Sequence, residues 1–146
     1  MDMRIYMDNC SFNRPFDDQS QLKIRLEAES KIYIQESILQ NKLELAWSYI
    51  LDFENEANPF EERSNAIQLW KRHAVIDISE TTEILSKAKE IKNEGLKNKD
   101  ALHVACAINS KCDYFITTDD SILKKLKNFR EITVLDPINF IRSVEL

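Results

Sequence analysis

Apolar and polar positions run along the chain in blocks whose period switches between strand-like and helix-like. Met3 to Met7 carries Ile5 and Tyr6 with little alternation, which predicts a short buried strand ending at Asp8. The stretch NCSFNRPFDD that follows reads as a loop. From Ser20 to Asn41, Leu22, Leu26, Ile32, Ile34, Ile38 and Leu39 recur at roughly helical spacing among Lys, Arg and Glu, predicting a long, partly exposed helix. Leu43 to Tyr49, with Trp47, predicts a second strand, and Ile50 to Glu56 a short helix broken by Asn58-Pro59.

The second half repeats the alternation. FEERSNAIQLWKRH sets Phe60, Ile67, Leu69 and Trp70 on a charge-rich helix ahead of a strand from Ala74 to Ile78. SETTEILSKAKEIKNEG opens on Ser79, a good cap, and Glu83, and closes at Gly95. Asp100 to Ser110 predicts a helix that is apolar around much of its surface, through Leu102, Val104, Ala105 and Ile108, and is therefore buried. Asp113 to Thr117 and Ile132 to Leu135 complete the strands, Asp119 or Asp120 caps SILKKLKNF, and Pro137 begins a closing helix. Strands alternating with helices imply a three-layer α/β/α fold on a central parallel sheet. At 146 residues and 43% hydrophobic content the expectation is a single domain over residues 1–146.

Composition narrows the function classes. One Gly and three Pro exclude a turn-rich sandwich or a disordered chain. A net charge of −5 repels nucleic acid at long range, so any grip on it needs a local basic rim or metal ions. Cys10, Cys106 and Cys112 form no CxxC pair, which argues against a disulfide framework or a thiolate zinc site and for a reducing cytoplasm. MDMRIYMDNC is interrupted by Arg4 and Asp8, and no later run reaches about 18 apolar residues, so neither a signal peptide nor a membrane span is expected.

Asp8, Glu54, Asp100 and Asp119 fall where strands end or helices begin. In a parallel sheet those ends share one edge of one crevice. An acid at a helix start is commonly only a cap, so Asp100, Asp119 and Asp120 each read as structural when taken alone. Taken together, carboxylates from distant parts of the chain would repel one another unless a cation neutralised them, which predicts a Mg2+ or Mn2+ site and metal-assisted phosphodiester cleavage. His103 reads as a packed histidine rather than a base, His73 as a solvated helix-end residue, Trp47 and Trp70 as core anchors, and Lys71-Arg72 and Lys124-Lys125 as solvated faces. Arg14, just after Asp8, is the better phosphate contact.

MRIYMDN, WSYILDFEN, GLKNKDALHVACA and DYFITTDDSIL resemble, in order, the four acidic blocks of the PIN-domain ribonucleases. The resemblance implies a compact α/β/α fold and a magnesium- or manganese-dependent endoribonuclease cleaving RNA. It also implies a VapC-like toxin of a type II toxin–antitoxin pair, as in many bacterial members. It assigns Asp8, Glu54, Asp100 and Asp119 to catalysis and metal binding and Thr117 to the motif hydroxyl; Asn9, Arg14 and Thr117 are the expected substrate contacts. The first block departs from the Asp-Thr-Asn or Asp-Thr-Ser pattern: Cys10 stands where a polar side chain is usual, leaving Asn9 or Ser11 to take that role. A non-catalytic PIN-fold module binding metal or a basic partner is the alternative. A phospho-acceptor domain is weaker still, because Asp77 precedes Ile78 and does not end its strand. Ile34, Ile38, Leu69 and Trp70 exceed what a small sheet face can hide, which predicts a homodimer or an antitoxin groove, with a simple cap on the core as the equal alternative.

Overall fold

The structure is a computed structural model that describes residues 3–13 and 21–144. Five parallel strands, β1 (Met3–Met7), β2 (Leu43–Ser48), β3 (Ala74–Ile78), β4 (Tyr114–Ile116) and β5 (Thr133–Leu135), form one sheet in the order β3-β2-β1-β4-β5. Around them run α1 (Asn9–Asn13), α2 (Leu22–Leu39), α3 (Tyr49–Glu56), α4 (Glu61–Trp70), α5 (Thr82–Lys92), α6 (Asn98–Asn109), α7 (Asp120–Lys125) and α8 (Pro137–Ser143). The order reverses at β1: the chain first steps outward through β2 to β3, then crosses back to β4. The crevice of such a sheet opens beyond the carboxyl ends of the two strands at the reversal, here Met7 and Ile116, which are paired.

Strand alternation assigns helices to faces. Met7 meets Lys31 of α2, whereas Tyr6 meets His103 of α6. Neighbouring strand residues point to opposite sides, so α2 and α6 cover opposite faces of the sheet. The three-layer α/β/α expectation therefore holds. The core is built from Ile5, Tyr6, Met7, Leu45, Trp47 and Phe115 on the strands, closed by Ile34 and Ile38 of α2 and Val104 to Ala107 of α6.

Local chemistry explains where the boundaries differ from expectation. Ser48 is extended, and its hydroxyl accepts from Leu51 N at 3.4 Å, so α3 starts at Tyr49 and the strand stops one residue before its expected end. Thr81, not Ser79, caps α5, accepting from Ile84 N at 3.2 Å and aiming Ile84, Ala88 and Ile91 at the core. Residues Asn9–Asn13, expected as loop, form the helical turn α1: Asp8 Oδ1 accepts from Ser11 N at 3.0 Å, and Phe12 is buried against Trp47. Gly95 closes the turn after α5 with φ +96°, a conformation that suits glycine.

Leu69 is exposed as expected, but the rest of the apolar surplus lies elsewhere. Ile34 and Ile38 are fully or almost fully buried and belong to the core, and Trp70 packs partly against it. The exposed apolar side chains of α2 are instead Leu22, Leu26, Ile32, Tyr33 and Leu39, while Glu27, Lys31 and Ser37 of the same helix are buried. This helix thus buries some polar groups beside its apolar ones and leaves some apolar groups outside.

Candidate active site

Asp8 is held at the switch point by three local contacts. Its Oδ1 accepts from Ser11 N at 3.0 Å, and its Oδ2 accepts from Thr117 Oγ1 at 2.5 Å. Its own amide donates to Ile116 O at 3.3 Å, continuing the ladder past β1. The carboxylate is almost fully buried. Burial pushes its pKa above the usual carboxylate value, and Thr117, His103 and Ser11 offset this only in part. Thr117 is shared: the oxygen that donates to Asp8 also accepts from Asp119 N at 3.0 Å, coupling the end of β4 to the turn that carries Asp119.

Asp119 caps α7, its Oδ1 accepting from Ser121 N at 2.8 Å and Ile122 N at 3.2 Å. Asp100 sits in the first turn of α6. A helix that leads into a parallel strand must begin at the edge where the strands end, which brings Asp100 to the same crevice. Its carboxyl is raised by burial and then by the negative charges of Asp119 and Glu54. Glu54 lies on the last turn of α3, half-buried, with Oε1 against His103 Nε2. Its burial would raise its pKa, but the hydrogen bond and charge of His103 carry it below the usual value. One thiol registers the whole group: Cys10 is pushed up to about 12, first by desolvation of its sulfur and then by Asp8, Asp119, Glu54 and Asp100.

The four carboxylates therefore act on common neighbours, and their chemistry suits a hard divalent cation. Among the described residues, however, no three His, Cys, Asp or Glu side chains are drawn together tightly enough to hold an ion as they stand. Three of the four are occupied locally: Asp8 by Thr117 and Ser11, Asp119 by the α7 amides, Glu54 by His103. Repulsion between like charges favours that spread arrangement.

The remaining expected residues divide. Thr117 is at the centre. Asn9 and Glu54 line one open cleft of about 300 Å³ with Asn58, Phe60 and Arg63. Arg63 was not anticipated from the sequence; its guanidinium stacks over Phe60 at 4.3 Å. Arg14 lies outside the described residues. Asp120 is exposed and paired with Lys23 at 3.1 Å. Asp52, two residues before Glu54, accepts from Trp47 Nε1 at 2.9 Å and from Lys71 Nζ at 2.9 Å, so it ties α3 to β2 and to the turn after α4 rather than joining the acidic group. His73 is exposed, its ring tilted against that of Trp70. The three cysteines are free.

The PIN domain family matches residues 5–128. The chain thus belongs to the PIN-domain family, whose fold the parallel sheet and its flanking helices display. Among solved structures it resembles VapBC-1 from nontypeable Haemophilus influenzae (TM-score 0.60, 16% identity), covering 92% of this chain and 98% of that one. It also resembles VapBC2 from Rickettsia felis, solved bound to a DNA fragment from the promoter (TM-score 0.56, 14% identity), covering 90% and 97%. No curated protein sequence matches significantly. Among the described residues no helix is long and apolar enough to cross a membrane.

Proposed function

We propose that the protein is a metal-dependent endoribonuclease, the toxin half of a toxin–antitoxin pair. The observation that carries this reading is the burden on Asp8: a buried carboxylate kept at the sheet's switch point by Thr117 and Ser11, with Asp119, Glu54 and Asp100 acting on the same thiol nearby. Four carboxylates sharing one crevice are tolerated when their purpose is to receive a cation. Asp8, Asp100 and Asp119 would hold Mg2+ or Mn2+, directly or through water, and Glu54 would complete the site. When bound, the metal supplies an activated water and stabilises charge on the scissile phosphate.

The chain's own groups do the rest. Thr117 fixes the Asp8 carboxylate and, through the Asp119 amide, the turn beside it. The cleft of Asn9, Glu54, Phe60 and Arg63 offers a guanidinium and an aromatic face to an RNA strand in a protein whose net charge otherwise repels it. Arg14 is the second proposed phosphate contact. The apolar outer face of α2, with Leu22, Leu26 and Tyr33, supports a protein partner, an antitoxin or a second copy. A non-catalytic module of the same fold is favoured by one feature, Cys10 in place of the usual polar residue.

The test is a mixed RNA pool incubated with the protein, with and without Mg2+ or Mn2+. The nuclease reading expects fragments with 5′-phosphates that require metal and vanish in Asp8→Asn. Intact RNA under all metal conditions, from a folded protein freed of any co-purifying partner, favours the non-catalytic module.

A further inference from the structure

A line of buried polar side chains that no part of the proposed chemistry uses runs from the middle of the sheet to the acidic crevice. Ser48 Oγ and Tyr6 Oη are 2.6 Å apart, Tyr6 Oη and His103 Nδ1 are 2.6 Å apart, and His103 Nε2 meets Glu54 Oε1. Ser48, Tyr6 and His103 are each at most 2% exposed, so none of these groups can turn to water for a substitute partner. Buried polar groups of this kind are costly unless every one is satisfied.

The direction of each hydrogen bond follows from the donors available. A carboxylate only accepts, so His103 Nε2 carries the hydrogen and donates to Glu54. In the neutral ring Nδ1 is then an acceptor, and the Tyr6 hydroxyl must donate to it. That leaves the Tyr6 oxygen to accept from Ser48, whose oxygen accepts in turn from Leu51 N as the cap of α3. With a neutral ring the line is fully paired and every donor points toward Glu54; a charged ring would reverse the bonds to Tyr6 and Ser48 and still donate to Glu54.

The elements joined are also telling. Ser48 and Glu54 sit at the two ends of α3, Tyr6 is two residues before Asp8 on β1, and His103 lies one helical turn after Asp100 on α6. The line therefore ties together the segments that carry Asp8, Glu54 and Asp100.

We infer that His103, oriented by Tyr6 and Ser48, is a positioning residue that fixes the Glu54 carboxylate for the metal site. The inference rests on the nuclease reading above, since it gives Glu54 a task at a cation. Outer partners of this type commonly alter metal affinity by about 10–100-fold when removed. His103 acts through Glu54 and touches no reacting atom.

The experiment is calorimetric titration of Mn2+ into the intact protein for wild type, His103→Gln, His103→Asn and Tyr6→Phe, with thermal unfolding of each. Gln can keep a donor near the Nε2 position, whereas Asn reaches only toward Tyr6. The expected result is Mn2+ affinity within about threefold of wild type for His103→Gln and weakened about tenfold or more for His103→Asn. Tyr6→Phe should weaken it several-fold. Equal affinities in the Gln and Asn variants, whatever their stability, overturn the positioning role. If wild type takes up no Mn2+, the nuclease reading fails, and the imidazole 15N spectrum decides the line itself. There an Nε2–H ring in wild type, perturbed in Tyr6→Phe, supports it; an Nδ1–H ring overturns it.

Discussion

The hydroxyl of Thr117 and the carboxylate of Asp8 lie 2.5 Å apart across the junction of β1 and β4, and the same hydroxyl accepts from the Asp119 amide. Two acids far apart in sequence are thus coupled through one side chain. Thr117→Val keeps the shape and removes both bonds, leaving a buried carboxylate short of a donor. The cost should be about 1–3 kcal/mol in urea unfolding. Thr117→Ser should recover most of it, and a valine variant as stable as wild type would show that the bond contributes nothing.

Lys31 is fully buried, with Nζ 2.7 Å from Met7 Sδ and 4.3 Å from the centre of the Phe12 ring. Burial drives its pKa well below the ordinary value, and the charge of Asp8 offsets this only in part. In the unfolded chain the amine titrates at about 10.4. Between the folded and unfolded values the unfolded state binds more protons, so this residue makes stability rise with pH across that window. Lys31→Met should flatten the slope and stabilise the protein at neutral pH by on the order of 1–4 kcal/mol. Denaturant unfolding at several pH values checks this; a methionine variant that is less stable at pH 7 would mean that the ammonium is satisfied where it lies.

The outward apolar face of α2 separates interface from core. Leu26→Glu alters an exposed position and should abolish self-association or antitoxin binding in light scattering and pull-down while leaving the thermal transition within a few degrees. Ile38→Glu places a charge in the core and should unfold the protein. A Leu26→Glu protein that still associates as wild type does would remove this face as the contact.

Cys10 is exposed yet its thiol is pushed up to about 12, first by desolvation of the sulfur and then by the four carboxylates. A thiol near 8.5 would be partly ionised at pH 8. Iodoacetamide should therefore modify Cys10 at least tenfold more slowly than a free thiol, and Mg2+ or Mn2+, by neutralising the acids, should speed it. Rapid modification in metal-free protein would contradict the raised thiol, and a rate that metal leaves unchanged would assign the shift to desolvation alone and not to the four carboxylates.

Much of this was legible in the sequence, because strand ends and helix starts are set by local chemistry and Asp8, Asp100 and Asp119 sit at those points, whereas Glu54 lies on the last turn of α3. The turn Asn9–Asn13 was not, since five residues are too few to show a period. Ser79 and Thr81 offer the same capping group, and only the burial of Ile84 decides between them. On α2 apolar residues occur on all sides, so periodicity alone cannot say that Ile34 and Ile38 face inward and Leu22 and Leu26 outward. The usual rule that Lys and Glu lie outside fails at Lys31 and Glu27. His103 was expected to be packed, and it is. Its contact with Glu54 spans 49 positions and is created by the packing of α3 on α6.

The central claim is that Asp100, with Asp8, Glu54 and Asp119, is kept close to like charges in order to receive a cation. Thermal unfolding of wild type and Asp100→Asn, each with and without Mn2+, tests it most directly. Because the Asp100 carboxyl is raised by burial and by its neighbours' charges, the asparagine variant should be as stable as metal-free wild type or a few degrees more so. Mn2+ should raise the Tm of wild type and leave that of Asp100→Asn nearly unchanged. A variant that loses stability without metal and still gains as much from Mn2+ as wild type would contradict the claim and make Asp100 a structural residue.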